Sequence, residues 1–208
     1  MKMMQKAVAI LTAVLMSLGF SGAMAGSWEV AGGGSLYGST GSYGAPVRIA
    51  TQITVKSLAT RSGPSLQHSG CATLQNMEGR RAVALAKGVD DSGVCWVLIE
   101  VEYYPGAPRR CWVGAQRLTL SHQQLNRLPG DYFAPIGEGV ITQTVDPRMG
   151  PGSQYVFNKD HRFGKGEQVT VVAAEGDFYV VERWISHPKT GESVILRGWV
   201  PASCVSLQ

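Results

Sequence analysis

Apolar positions along the chain fall into three regimes. Ala7 to Phe20 is an apolar run behind Lys2 and Lys6, and it ends on Ala23-Met24-Ala25. It is short for a bilayer span, and the basic start and small-residue end have the form of a secretory signal peptide, residues 1–25, cleaved before Gly26. From Gly26 to Val47 the chain carries seven glycines and four serines and no apolar period. That composition cannot bury enough surface to offset the entropy of ordering, so it reads as a flexible Gly/Ser-rich linker. Beyond it, short runs of Val, Ile, Leu and aromatics are broken by Gly and Pro: ITVKSLATR, RAVALA, VCWVLIEVE and RCWVGA, then VITQTV, EQVTVVA, DFYVVERW and LRGWV. These are strand signals. VLIEV and VTVV alternate only in part, as expected for strands rolled around a small core. SHQQLNRLPG, residues 121–130, predicts one or two helical turns before Pro129 and Gly130 stop them.

The strand pattern occurs twice. Arg-x-Gly-Pro stands at Arg61–Pro64 and again at Arg148–Pro151, an interval of 87. At that interval Ile53 meets Val140, Leu58 meets Val145, Gly79 meets Gly166, and Trp112-Val113 meets Trp199-Val200. In the middle the first copy is longer by four residues in LAKGVDDSGVCW, and the second recovers them in SHPKTGES. Insertions confined to loops are what divergence of a duplicated unit produces. The organisation predicted is all-β: two tandem small β-barrels at 48–120 and 137–208, joined by a connector at 121–136. In each Arg-x-Gly-Pro corner, Gly63 and Gly150 are expected to supply a backbone conformation that a Cβ would penalise. Pro64 and Pro151 are expected to fix the next φ, and Arg61 and Arg148 to donate to loop carbonyls.

Charge narrows the partners. The full chain has a formal charge of +4. Without Lys2 and Lys6 it holds 17 basic and 15 acidic residues, a charge of +2, and no Lys/Arg-dense stripe of the kind that follows nucleic acid. No nucleic-acid partner is expected, and no stable membrane insertion once the leader is removed. Cys71, Cys95, Cys111 and Cys204 show no C-x-x-C or Cys/His metal spacing. In an exported chain their expected fate is disulfide pairing, with three connectivities open and one bridge forced between the halves.

SLATRSGPS, EGRRAVAL, GVCWVLIEV and CWVGAQRL, in that order, resemble bacterial SH3 domains, often called SH3b. That family's usual pattern is a short strand, an Arg-x-Gly-Pro turn, a Gly-led strand, Gly-Trp-aromatic and a closing Gly-Trp-Val. TVDPRMGPG, KGEQVTVV, GDFYVVE and RGWVPASCVSL fit it about as well, so the resemblance covers residues 48–208 apart from the connector. It implies SH3-like barrels that recognise cell-wall peptide or an extended protein segment in a shallow aromatic groove, with two modest sites combined through avidity. Groove candidates are Tyr155, Phe178, Tyr179, Trp184 and Trp199 in the second copy, and Trp96, Tyr103 and Trp112 in the first. Trp112 and Trp199 have a second reading as packing at the base of each barrel. The second copy keeps more aromatics and is the one expected to bind.

Catalysis would need a nucleophile, a base and an orienting group. Cys71 or Cys95 with a histidine is the candidate set, since cell-wall peptidases are commonly fused to SH3b modules, but a separate catalytic domain has no room once both barrels are assigned. Asp90-Asp91 reads as a turn and Glu100/Glu102 as a solvated strand edge. Gly32-Gly33-Gly34 lacks the Gly-Lys-Ser/Thr of a phosphate loop. No catalytic residue, metal or cofactor is expected. The function expected is that of an exported, non-catalytic binding protein at or outside the cell envelope, whose partner is peptidoglycan peptide or an envelope protein segment. The alternatives are a structural spacer or subunit of a surface assembly and, third, a Cys-His hydrolase.

Overall fold

β-Branched and aromatic runs form the strands, and Gly, Pro and Asn turns end them. The computed structural model describes residues 47–130, 136–158, 161–187 and 190–208. The predicted leader, and the linker up to residue 46, lie outside the described residues. The first copy contributes β1 (Ile49–Gln52), β2 (Ser57–Arg61), β3 (Gly70–Gln75), β4 (Arg81–Val89), β5 (Cys95–Tyr104) and β6 (Ala107–Gly114). The second contributes β7 (Gly137–Ile141), β8 (Gln168–Glu175), β9 (Phe178–Ser186), β10 (Ser193–Pro201) and β11 (Val205–Leu207). Between them, α1 (His122–Arg127) begins at a capping box in which Ser121 and Gln124 satisfy each other's backbone N–H. Leu128 ends the helix fully buried, and the Pro129 carbonyl accepts from Lys87 N.

The strands make two antiparallel sheets, ordered β1-β4-β5-β6-β2-β3 and β10-β9-β8-β7-β11. Neither order returns to its start, so the sheets are open where closed barrels were expected. In the first sheet β1 reaches the residues after β6 through isolated pairs, Ile53 with Leu118 and Thr119 N with the Gln52 carbonyl, rather than through a ladder.

Register repeats between the copies. Arg61 stands opposite Trp112 and Gly70, and 87 residues on Arg148 stands opposite Trp199 and Phe157. β4 shifts register between Ala84 and Ala86, and β8 does so between Val171 and Ala173. A bulge turns two successive side chains to the same side. Leu85 and Ala86, like Val172 and Ala173, accordingly enter one cluster together.

That cluster decides the architecture. Ile53, Leu58, Leu74, Val97, Ile99 and Val113 fill a core under the first sheet, and Ile141, Phe163, Val169, Val181 and Val200 one under the second. The opposite faces meet. Leu85, Ala86, Trp96, Leu98 and Trp112 of the first sheet pack with Val172, Ala173, Val180, Trp199 and the partly buried Phe178 of the second. The strand register matches Trp96 to Phe178 and Leu98 to Val180, one residue off the offset expected from the sequence, so each residue has its counterpart and the junction is built from five matched pairs, as in an isologous interface. All described residues belong to the compact unit Gly34–Gln208. Burying a large apolar side chain stabilises by about 1.5–3 kcal/mol, so the junction is held mainly by this cluster. It also accounts for the weak alternation of VLIEV, because Trp96 and Leu98 face the junction while Val97 and Ile99 face the core.

The four cysteines form no disulfide, which corrects the expected pairing. Cys111 is enclosed in the first core, Cys204 sits in the helical turn Ala202–Cys204 of the second copy, Cys95 opens β5, and Cys71 lies in β3. They stand in four different elements, and no two of them come within bonding range.

Candidate functional site

Each Arg-x-Gly-Pro corner opens a loop that reaches across the junction. Arg61 Nη1 donates to the Leu66 and His68 carbonyls at 3.1 and 2.8 Å, and Arg148 Nη1 to the Ser153 and Tyr155 carbonyls at 3.1 and 2.9 Å. The arginine thereby folds the loop so that His68 or Tyr155 turns back over the glycine. A Cβ on Gly63 would lie 1.9 Å from the His68 ring, and one on Gly150 would lie 2.2 Å from the Tyr155 ring. This revises the expected role of Gly63. Gly63 is not among the positive-φ residues; it is glycine because an aromatic ring occupies the place of its side chain. Pro64 packs likewise on Gly88, where a Cβ would meet the Pro64 Cβ at 2.6 Å.

The two rings land on ion pairs of the opposite copy. Tyr155 Oη donates to Glu100 Oε2, which also accepts from Arg110 Nε at 2.9 Å. Arg48 holds the other Glu100 oxygen, and Arg110 bridges the junction to Glu175 through Nη1 and Nη2 at 2.9 and 3.3 Å. In the reciprocal contact His68 Nε2 lies 3.9 Å from Glu182 Oε2, which accepts from Arg197 Nε at 2.9 Å. Ser65 Oγ, 2.7 Å from His68 Nδ1, orients the imidazole. Burial alone would raise the Glu100 carboxyl, but the bonds from Tyr155, Arg48 and Arg110 outweigh it and bring it down to about 2. Glu182 is lowered in the same way, against burial, by His68 and Arg197. Tyr155 is pushed up to about 12 by burial and by its bond to Glu100. Glu100 is therefore no solvated edge residue. Asp90 does serve a turn, accepting from Ser92 and Val94 N–H and from the Trp96 indole.

The expected groove aromatics divide accordingly. Trp96, Trp112, Trp199 and Tyr155 are buried, while Tyr103, Phe178 and Tyr179 are half-buried. Tyr103 stacks between Arg80 and Arg109, at 5.8 and 5.4 Å, away from the others. Trp184 is 59 % exposed. It shares a strand face with Val180 and Glu182 and stands opposite Ile195, whose backbone is bonded to Gln67 and Ser69 of the first copy's loop. The first copy has Glu102 opposite Pro108 at the corresponding place, so the exposed tryptophan there belongs to the second copy alone among the described residues.

Two residues along the strands from the Trp184–Ile195 pair, Arg197 lines a partly open crevice of about 30 Å³ together with Arg110, Arg148 and Asn158, with Trp112 and Trp199 as apolar wall. Cys71 and Asn158, Arg110 and Arg197, and the two tryptophans are counterparts at the interval of 87, so the crevice exists because the duplicated faces meet. Sequence reasoning missed Arg110, Arg197, Glu100 and Glu182; the spacing of Arg110 and Arg197 at the repeat interval was the signal that could have found them. Among the described residues no group of His, Cys, Asp or Glu could hold a metal ion, and no helix is long and apolar enough to cross a membrane. Compared with protein-family models and with curated proteins, the chain gives no match.

Proposed function

We propose that this is an exported, non-catalytic binding protein in which two SH3-like modules, each an incompletely closed barrel, hold a cell-wall peptide or another extended envelope polypeptide at their junction. The observation that carries this reading is Trp184. The other described tryptophans are accounted for by packing, whereas Trp184 stands exposed two residues along β9 from Glu182, whose partner Arg197 lines the crevice. A shallow aromatic rim beside fixed polar groups suits an extended chain, whose side chains alternate between contact and solvent. At two of the four thiols burial also works against a nucleophile, raising Cys95 and pushing Cys111 up to about 12, which disfavours the thiolate.

Co-sedimentation with purified sacculi tests the reading. The wild-type protein is expected in the pellet, with retention reduced about tenfold or more in Trp184→Ala, since exposed aromatic anchors carry a large share of such interfaces. Retention of neither protein removes the wall-binding form of the proposal. Self-association by light scattering that Trp184→Ala abolishes would favour a subunit of a surface assembly instead.

A further inference from the structure

We infer that the crevice takes a carboxylate, so that the polypeptide held at the Trp184 rim inserts an acidic side chain or a free C-terminus between the two sheets; this rests on the binding reading above. None of the described residues lining the crevice is acidic. Arg110 is matched by Glu100 and Glu175 and Arg197 by Glu182, but Arg148 has no ion pair among the described residues. That leaves the Arg148 guanidinium as a charge at the crevice with no carboxylate partner among the described residues.

Arg148 is also placed to use it. Its Nη1 is spent on loop carbonyls and its guanidinium lies 4.0 Å from the Phe157 ring centroid, which fixes the plane. Nε and Nη2 make no hydrogen bond among the described residues, and that edge of the fork is the one that binds a carboxylate through two parallel bonds. Asn158 supplies the second, independent mark. It is 4 % exposed, lines the crevice, and its side-chain amide has no hydrogen-bond partner among the described residues. From the crevice side that amide can donate to an external acceptor. The crevice, about 30 Å³ and partly open, has room for a group the size of a carboxylate. The apolar wall of Trp112 and Trp199 lowers the local dielectric and strengthens the pairing.

Two-dimensional NMR of the full chain, titrated with acetate and separately with acetamide, reads the site directly. Acetate is expected to shift the Asn158 amide and the Trp112 and Trp199 indole signals saturably, with acetamide at least tenfold weaker. Arg148→Gln should weaken acetate at least tenfold. Because Arg148 also holds its loop, Asn158→Leu serves as the second variant and should weaken acetate severalfold with signal dispersion intact. A blocked Gly-Asp-Gly and a triglycine with a free C-terminus separate the two sources of the carboxylate, the tighter binder naming the source. Equal shifts from acetate and acetamide, no saturable shift, no loss in either variant, or acetate binding with neither peptide would each overturn the inference. Sacculus binding without an acetate shift would remove the carboxylate and leave the binding reading, and an acetate shift without sacculus binding would do the reverse.

Discussion

Gly63 shows how one side chain's absence can be read for the wrong reason. An Arg-x-Gly-Pro corner suggests a glycine chosen for its dihedral freedom, yet here the space above its Cα is filled by the His68 ring. Adding a methyl there must push a buried imidazole off Glu182, an overpacking cost of about 1–3 kcal/mol. Gly63→Ala should lower stability by that amount in urea denaturation. Placed in a His68→Ala background it should cost little, because the ring that the methyl strikes is gone, and a double-mutant cycle measures the difference. Additive effects of the two changes would show that the backbone, not the ring, requires glycine. The donation from Arg61 to its loop carbonyls was legible beforehand, since a long donor beside a polar loop has few other acceptors. The partner of His68 was not, because Glu182 lies 114 residues away in the chain.

The bulges in β4 and β8 explain why strands that read as half-alternating are buried on both faces. Leu85 is the extra residue of its bulge and is fully buried in the cluster between the sheets. Leu85→Ala should therefore cost about 2–5 kcal/mol, as much as a core truncation, although in an isolated module the residue would face solvent. The denaturation midpoint reports the loss, and a change within 0.5 kcal/mol, as for a surface site, would contradict the packed junction. Strand positions, the short capped helix of the connector and the repeat register could all be read from the pattern of apolar runs, glycines and prolines. The bulges could not, because they depend on which face a neighbouring sheet covers.

Taken whole, the molecule is a duplicated fold whose copies close on each other, each lending a ring to the other's glutamate-arginine pair. Its pH dependence follows. Glu100 is held at about 2 against an ordinary 4.5, so its contribution is present above pH 4.5 and is lost as pH falls toward 2; the shift corresponds to about 3 kcal/mol. Glu182, also lowered, adds to the same acid limb. On the alkaline side Tyr155 and Cys111 are both held near 12, above ordinary values of 10 and 9. Their contributions are present below those ordinary values and disappear as pH rises from about 9 to 12. Thermal unfolding against pH should show a plateau through neutrality, with the acid limb reduced in Glu100→Gln and the upper part of the alkaline limb reduced in Tyr155→Phe. Limbs unaltered by either change would mean that the network across the junction adds nothing to stability.

Local chemistry was enough to set the strands, the helical turn, the duplication and the reach of the corner arginines, because each depends on residues close in the chain or on a repeat visible along it. The fate of the tryptophans, the absence of disulfides, the burial of Glu100 and the arginine-lined crevice depended on how two sheets meet. Contacts of that kind join residues far apart in sequence, and a pattern of apolar and polar positions records that a face is covered without recording by what.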